Sequence, residues 1–302
     1  MTRRIVFMGS PDFSIPSLQG LIDNFKVVGV VTQPDRPSGR GKLLTQPPVK
    51  TLAEKYGIPI LQPEKLKDPG VFETLQTWDP DYIVVVAFGQ ILRQNVLDLP
   101  TYGCINVHGS ILPRWRGAAP IQAAILQGDE ETGVTIMKMD KGIDTGDIYT
   151  IRKLPIEKND NTETLSKKLS VLGSTLLIET IFSLIEGKIE SQKQDDSLAT
   201  YAPMIHKEDG LLDFQKNAKA LEQQIRAYYP WPGAYMDLNE EKIKIFAAEI
   251  INSVELKPGE RKVLDGYPVV GTSFGGLKII NIQPAGRKII NGKEFLYGYK
   301  KW

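Results

Sequence analysis

The amino-acid sequence alternates short apolar runs with segments of helical periodicity through its first half. Several apolar runs, such as Tyr82–Val86, lack polar alternation, which is typical of parallel strands covered on both faces. Helical segments between such strands favour an α/β domain, in which ligands bind beyond the carboxyl ends of the strands. We predict strands at Arg4–Met8, Lys26–Thr32, Pro59–Leu61, Tyr82–Phe88, Cys104–His108 and Val134–Met139, and helices at Pro16–Asp23, Pro48–Tyr56, Val71–Trp78 and Pro120–Leu126.

The pattern changes in the second half. Leucines at three- and four-residue steps predict one long helix, roughly Thr162 to Glu186. The polar stretch after it is interpreted as an interdomain linker. Beyond the linker, one helix at Ala218–Ala227 precedes short strands between Gly and Pro turns, a pattern typical of a small β-barrel. We predict a catalytic domain at 1–189, a linker at 190–206 and a second domain at 207–302, with strands at Lys242–Ala247, Pro268–Thr272 and Lys278–Gln283.

The composition narrows the classes of function. Among 302 residues, 37 Lys and Arg stand against 36 Asp and Glu, so the net charge of +1 gives no sign of a nucleic-acid partner. A single cysteine, Cys104, excludes an intrachain disulfide and a cysteine zinc cluster. Two distant histidines, His108 and His206, exclude a multi-histidine metal site. We expect a cytoplasmic monomer that requires no metal.

No segment predicts a membrane span or a leader. The most apolar long stretch, Val171–Ile185, contains Glu179 and several hydroxyl groups, and it is too short to cross a bilayer. The opening residues run from Arg3 and Arg4 directly into a predicted strand, unlike a signal or transit peptide. We therefore expect no membrane partner.

A polar pair lies at the end of a predicted strand. Alternation along Cys104–His108 places Asn106 and His108 on one face and Val107 on the other. An imidazole beside an amide donor suits an acyl-transfer centre, because one group handles protons and the other stabilises an oxyanion. A hydrogen-bonded structural histidine fits the same pattern.

A carboxylate follows in a later turn. Asp144 lies in Gly142–Asp147, after the strand Val134–Met139, and we expect this turn at the same edge of the sheet as Asn106 and His108. There the carboxylate can orient the imidazole. An ordinary Asx turn accounts for the same residues.

One long loop is basic. The segment Pro34–Pro48 carries Arg36, Arg40 and Lys42 against Asp35, and loops of this length in compact domains are usually functional or disordered. Such a loop can clamp phosphates. A surface turn whose charges are merely solvated fits equally well.

Positive charge also gathers in the second domain. Residues 207–302 hold 15 Lys and Arg against 12 Asp and Glu, and the last sixteen residues hold five of these cations against Glu294. The cations interleave with aromatic residues, a combination that suits nucleic-acid contact. A solvated strand with its aromatic residues packed inward explains the composition as well. The aromatic residues are Phe295, Tyr297, Tyr299 and Trp302.

These motifs occur in the order and over the two-domain length of a known family. They include Val6–Phe13, Gln33–Gly41, Ser110–Pro113, His206–Gly210 and the Pro-Trp-Pro-Gly turn within Arg226–Ala234. In them the chain resembles the methionyl-tRNA formyltransferases, a family of folate-dependent formyltransferases. Ser110–Pro113 is similar to the family's Ser-Leu-Leu-Pro, with Ile111 in place of a leucine.

The resemblance implies a Rossmann-like first domain and an OB-like second domain. It implies 10-formyltetrahydrofolate as the formyl donor and the α-amino group of methionine on initiator tRNA as the acceptor. It places Asn106, His108 and Asp144 at catalytic positions. It also places three cations in a tRNA-contacting loop, namely Arg36, Arg40 and Lys42. Two segments would hold the folate, namely Phe88, Gly89, Gln90, Ile91 and Leu92, and Ser110, Ile111, Leu112 and Pro113.

Three other functions share parts of the pattern. A folate-dependent formyltransferase that acts on a small amine, such as an amino sugar nucleotide or glycinamide ribonucleotide, would use the same catalytic triple. A hydrolase of formylfolate would release formate without an acceptor. A non-catalytic RNA-binding protein could keep the fold alone, but the retention of Asn106, His108 and Asp144 speaks against it.

Overall fold

The computed structural model describes residues 3–38, 43–239, 241–299 and 302. The chain forms two compact units, neither of which is continuous in sequence. The first unit comprises Met1–Pro120, Glu131–Pro155 and Ser166–Tyr201, and the second comprises Ile121–Glu130, Ile156–Leu165 and Ala202–Trp302.

Eleven strands and six α-helices lie in the described part of the chain up to residue 202. The strands are β1 (Arg4–Gly9), β2 (Lys26–Val31), β3 (Arg36–Ser38), β4 (Leu43–Thr45), β5 (Ile60–Leu61), β6 (Tyr82–Val86), β7 (Cys104–His108), β8 (Arg116–Gly117), β9 (Glu131–Lys138), β10 (Ile148–Pro155) and β11 (Tyr201–Ala202). The helices are α1 (Ile15–Asn24), α2 (Pro48–Lys55), α3 (Val71–Trp78), α4 (Gln94–Leu97), α5 (Pro120–Gln127) and α6 (Thr162–Ile185).

The first unit is built on a seven-stranded sheet in the order β10-β9-β7-β6-β1-β2-β5. Strands β5, β2, β1, β6 and β7 pair in parallel, whereas β9 runs antiparallel to β7 and β10 antiparallel to β9. The prediction of a mostly parallel α/β sheet is confirmed. Strand β10 was not predicted from the sequence. Its polar residues are interspersed with apolar ones, and no position is fully buried, so it lacks the continuous apolar run that marked several of the other strands.

The two faces of the sheet are covered by different helices. Cys104, on the same side of β7 as Asn106, packs in the core cluster that includes Val96 and Leu97 of α4. On the other face, an added Cβ at Gly173 of α6 would lie 3.0 Å from Val107, so this glycine allows the helix to approach the strand closely. Alternation along β7 thus leaves Asn106 and His108 on the side away from α6.

Helix α6 is longer than the apolar stretch from which a membrane span was excluded. By length and composition alone it could cross a membrane, so the expectation that the stretch is too short is wrong. The apolar residues of α6 instead pack inside the protein: Leu165, Leu169 and Leu176 are each 3% exposed or less. The Ser174 hydroxyl also donates to a backbone carbonyl of α1 at 2.7 Å. These are the contacts of a core helix.

The second unit holds an antiparallel sheet. Its elements are α7 (Ala218–Ala227), β12 (Ala234–Leu238), β13 (Glu241–Ile251), β14 (Arg261–Leu264), β15 (Tyr267–Gly271), β16 (Gly276–Gln283), β17 (Ile290–Asn291) and α8 (Gly292–Gly298). The strands pair in the order β12-β13-β16-β15-β14, with β17 beside β16, as in a partly open OB-like barrel. Asp265 and Gly266, both with positive φ, form the two-residue turn between β14 and β15.

The aromatic residues at the end of the chain largely pack inward. Phe295 is fully buried, Tyr299 stacks on it at 4.2 Å between ring centroids, and Trp302 meets it edge-on. Tyr297 is the exception, with 82% of its surface exposed. The inward packing of the aromatic residues therefore holds for three of the four, but the strand expected with it is wrong, because Phe295 and Tyr297 lie in helix α8. Lys300 and Lys301 lie outside the described residues.

The polar stretch interpreted as a linker has ordered partners in the first unit. Gln192 forms a backbone bridge with Ile148, and Tyr201 belongs to β11, which pairs with β8. Residues 192–201 therefore pack along the loops that follow β7 and β9.

Candidate active site

Asn106 and His108 lie on β7, between β6 and the antiparallel strand β9. The His108 residue is 5% exposed and stands opposite Thr135 of β9, whereas Asn106 is half-buried. Their shared face is the one predicted from alternation.

Asp144 meets both residues. Its Oδ1 accepts a long hydrogen bond from Asn106 Nδ2 at 3.4 Å, and its Oδ2 lies 3.6 Å from His108 Nδ1. The backbone N–H of Gly117 donates to Oδ2 at 2.9 Å. Asp144 itself has φ of 53°, a left-handed conformation that an aspartate adopts more readily than most residues. The structure thus brings the three predicted residues together, with Asn106 and His108 both facing the Asp144 carboxylate.

The route by which Asp144 reaches this cluster differs from the expectation. The turn that carries it was expected at the same edge of a mostly parallel sheet as Asn106 and His108. Because β9 runs antiparallel, its end at Lys138 pairs with Ile105, near the beginning of β7. From there the loop reaches back along β7, and its carboxylate contacts both Asn106 and the last residue of the strand, His108.

The second ring nitrogen of His108 is also engaged. Nε2 lies 2.9 Å from the backbone oxygen of Trp115, which can only accept, so Nε2 carries the proton of this hydrogen bond. Trp115 has φ of 63°, and its conformation turns that carbonyl toward the ring. Nδ1 is then the nitrogen that faces Asp144 and that can gain or lose a proton.

The loop Ser110–Pro113 is held by β9. Thr135 Oγ1 donates to the Ser110 carbonyl at 2.7 Å and accepts from the Leu112 N–H at 3.1 Å. The Ser110 hydroxyl is fully buried and donates to the Arg114 carbonyl at 2.6 Å. Ser110 and Leu112 therefore shape this loop from inside, whereas Ile111 and Pro113 are half-buried.

The segment 88–92 has two exposed positions between two buried ones. Phe88 and Leu92 are buried in the core, whereas Ile91 is 82% exposed. Gln90 uses its side-chain oxygen to accept from the Leu66 N–H at 2.9 Å. Gly89 has φ of 77° and open space where a Cβ would project. The exposed surface here consists of Gly89 and Ile91.

The basic loop is anchored at its base. Asp35 accepts from Lys50 Nζ and from Gln62 Nε2, each at 2.7 Å. The hydrogen bonds from Gln62 and Lys50 lower the pKa of Asp35 below its ordinary value. Beyond this anchor, the Arg36 guanidinium is largely exposed and lies 3.5 Å from Glu64. Arg40 and Lys42 lie outside the described residues.

Several residues around the cluster were not identified from the sequence. Thr135 binds the loop after β7 through Ser110 and Leu112, and Trp115 in that loop binds His108. From the supposed linker, Thr200 binds the same loop, whereas Gln194 binds the turn after β9 at Asp144. Their residue types are ordinary for strands and polar connections, so no local pattern marks them. Only the family resemblance of the neighbouring motifs could have drawn attention to them.

The described part of the chain contains no group of three or more His, Cys, Asp or Glu side chains that could hold a metal ion. Cys104 is buried beside α4, and its Sγ approaches the Val96 carbonyl at 3.7 Å. Burial, with a smaller effect of Asp98, raises the pKa of the Cys104 thiol to about 12.

Known formyltransferases match this chain in both of its halves. The formyl transferase family model matches residues 3–181, and the formyl transferase C-terminal domain model matches residues 204–300. A methionyl-tRNA formyltransferase from Geotalea uraniireducens is 48% identical over 300 residues, which are 98% of this chain and 95% of that protein. A methionyl-tRNA formyltransferase from Bacillus subtilis is 48% identical over 299 residues, which are 98% and 94% of the two chains.

Solved structures share the fold at low identity. A methionyl-tRNA formyltransferase from Clostridium thermocellum has a TM-score of 0.58 at 19% identity and covers 96% of this chain and 100% of its own. An N-formyltransferase from Helicobacter canadensis, in complex with folinic acid and dTDP-3-aminofucose, has a TM-score of 0.67 at 20% identity and covers 92% and 99%. From both family models and the nearly full-length relatives, the chain belongs to the methionyl-tRNA formyltransferase family.

Proposed function

We propose that this formyltransferase transfers the formyl group of 10-formyltetrahydrofolate to the α-amino group of methionyl-initiator tRNA, giving the N-formylmethionyl-tRNA of translation initiation. The observation that carries the proposal is the cluster of Asn106, His108 and Asp144, in a chain whose relatives at 48% identity are methionyl-tRNA formyltransferases. The cluster is suited to acyl transfer between an amide donor and an amine.

Asn106 is the proposed oxyanion donor. The attacking amine nitrogen forms a bond to the formyl carbon, and the carbonyl electrons move onto oxygen. Asn106 Nδ2 makes a long 3.4 Å bond to Asp144 and, among the described residues, no second hydrogen bond, so it has hydrogen-bonding capacity for that oxygen. One such donor is typically worth about 3 kcal/mol of transition-state stabilisation.

His108 is the proposed proton carrier. The amine nitrogen becomes acidic once it has bonded to carbon, and His108 Nδ1 takes its proton, directly or through water. The same proton passes to the folate nitrogen as the bond between that nitrogen and the formyl carbon breaks. Asp144 stabilises the imidazolium that exists between these two transfers.

The folate would lie between the two predicted segments. The pocket that we propose uses the exposed backbone at Gly89 and the apolar Ile91 against the loop Ser110–Pro113. The core positions of Phe88 and Leu92 anchor the first of these segments. This pairing of an apolar surface with exposed backbone suits a flat ring that carries polar edges.

The tRNA would meet two basic regions. One is the loop with Arg36, Arg40 and Lys42. The other lies in the second unit, where Lys278 and Lys293 both stand over the Tyr267 ring, with Nζ 4.6 and 4.7 Å from its centroid. Cations around an aromatic ring suit contact with phosphates and bases.

We further propose that residues 1–189 carry the chemistry and 207–302 the tRNA affinity, with 190–206 joining them. The protein would act as a cytoplasmic monomer without a membrane partner or a resident metal. Translation initiation takes place in that compartment, and the single Cys104 thiol is reduced and buried.

Acceptor specificity decides between the candidate functions. Purified protein is given 10-formyltetrahydrofolate with methionyl-tRNA, unacylated tRNA or an amino sugar nucleotide, and both the formylated acceptor and free formate are measured. We expect formylation of methionyl-tRNA alone. Preferred formylation of the sugar nucleotide, or release of formate without an acceptor, would replace this function with one of the alternatives.

A further inference from the structure

The polar segment between the two predicted domains has a close relationship to Asp144. We call residues 192–200 the brace segment. Its Gln194 Nε2 donates to the Asp144 carbonyl at 2.8 Å and to the Gly146 carbonyl at 2.7 Å. One side-chain amide therefore holds two backbone oxygens of the turn that presents the carboxylate.

The oxygen of the Gln194 amide binds Arg116, in the segment that follows β7. This Oε1 accepts from Arg116 Nε at 3.1 Å and from Nη2 at 2.9 Å. The Arg116 side chain is 2% exposed and also pairs with Asp196 at 2.7 Å. The next residue, Gly117, donates its N–H to the Asp144 carboxylate. Gln194 thus links the backbone of the Asp144 turn to the side chain of Arg116, the neighbour of Gly117.

The end of the brace segment fixes the partner of His108. Thr200 Oγ1 accepts from the Trp115 N–H at 2.9 Å, and the Thr200 carbonyl accepts from the Arg116 N–H at 2.8 Å. Trp115 in turn supplies the carbonyl that binds His108 Nε2. The segment therefore supports the loops that contact the imidazole and the carboxylate.

We propose that Gln194 is a positioning residue, whose amide sets the direction of the Asp144 carboxylate toward Asn106 and His108. Asp144 stands in a left-handed conformation, and two donors on the carbonyls of its turn offset the cost of keeping it there. A primary amide supplies the two N–H donors for the turn and the oxygen for Arg116 within one planar group. The inference rests on the catalytic role proposed for Asp144.

Two substitutions separate the two ends of the amide. Gln194→Glu keeps an oxygen acceptor for Arg116 but removes both donors to the turn, whereas Gln194→Met removes donors and acceptor at similar length. Ser197→Ala is the matched control, since its exposed hydroxyl bonds Asp195 in the same segment. Turnover, KM for both substrates and the pH profile of kcat are measured, together with thermal unfolding, and turnover is normalised to folded protein.

Both Gln194 variants are expected to lower kcat by roughly 10- to 100-fold, the scale on which small misplacements of reacting groups act. KM for methionyl-tRNA and for formylfolate should stay within about twofold, because the substrates do not depend on the amide. The pH profile of kcat should change shape, which a loss of stability alone does not cause. Gln194→Glu should remain folded, since Arg116 keeps its acceptor, and Ser197→Ala should match the wild type.

Two different failures can be told apart. A Gln194→Glu protein with wild-type kcat, beside an Asp144→Ala protein that has lost turnover, would overturn the positioning role and leave the proposed catalytic cluster in place. If Asp144→Ala itself retains full turnover, the cluster assignment fails, and the positioning inference fails with it.

Discussion

Nδ1 of His108 lies 3.6 Å from Oδ2 of Asp144, just beyond direct hydrogen-bond distance. The attraction between them is therefore weak while the ring is neutral and grows when Nδ1 gains a proton. An interaction that strengthens as the reaction proceeds favours the transition state over the ground state. The separation thus suits a histidine that is protonated at Nδ1 only transiently, between accepting the proton and passing it on.

The first prediction treats Asn106, His108 and Asp144 as one unit. Each single substitution to alanine should lower kcat by about 100-fold or more, because each removes a group that acts on the transition state. The triple substitution should cost far less than the product of the single losses, since residues that act together are not additive. Single-turnover formylation of methionyl-tRNA measures these rates, with both KM values changing little.

His206 supplies the control for that series. It is exposed in the second unit, and its backbone N–H binds Asp209 at the start of a short helical turn. His206→Ala should leave the chemical step nearly unchanged. Normal turnover in folded His108→Ala, or a larger loss in His206→Ala, would contradict the assignment.

Much of the fold follows from periodicity and burial. The predicted bounds of α3, β7 and α7 agree with the structure, because each element has a complete apolar face and a clear stop. The side of β7 that carries Asn106 and His108 also follows from simple alternation, since Val107 packs against α6.

The remaining features depend on pairings between distant residues. The direction of β9 is set by its partner β7 and not by its own sequence, so the approach of the Asp144 loop could not be predicted. Gln194 stands in a polar run that looks like a solvated linker. Its role appears only when Arg116 and the turn at Asp144 are placed around it.

The second prediction concerns Arg36 and tRNA. Its guanidinium is largely exposed near Glu64, and replacing it by alanine should weaken tRNA binding without changing formylfolate binding. The slope of log Kd against log salt concentration should fall by roughly 0.9 for one lost phosphate contact. Lys26→Ala is the control, because Lys26 is exposed at the amino end of β2, the edge away from the proposed ligands. Equal salt slopes for Arg36→Ala and the wild type would remove Arg36 from the interface.

The third prediction tests a close approach in the first unit. A Cβ at Gly29 of β2 would lie 2.3 Å from the Trp78 ring of α3, next to an irregularity in the β1 and β2 register. Gly29→Ala should lower the free energy of unfolding by about 1–3 kcal/mol, as overpacking does. Gly298→Ala, where no atom lies within 4 Å of the added Cβ, should be close to neutral. Urea titrations compare the two, and equal stability would show that α3 shifts freely.

The last prediction follows from the buried thiol of Cys104. Its pKa is raised from 9.0 to about 12 by burial, so the unfolded chain loses this proton at a lower pH than the folded protein. The stabilisation is complete below about pH 9 and decreases as pH rises toward 12, by about 1.4 kcal/mol for each pH unit between these values. Between pH 8 and pH 10 the wild type should therefore lose about 1.4 kcal/mol more unfolding free energy than Cys104→Ala. The difference in pH dependence is the measurement, since the alanine also leaves a cavity that lowers stability at every pH. Parallel curves for the two proteins would mean that the thiol ionises in the folded state as easily as in the unfolded one, and iodoacetamide would then label native Cys104 at pH 9.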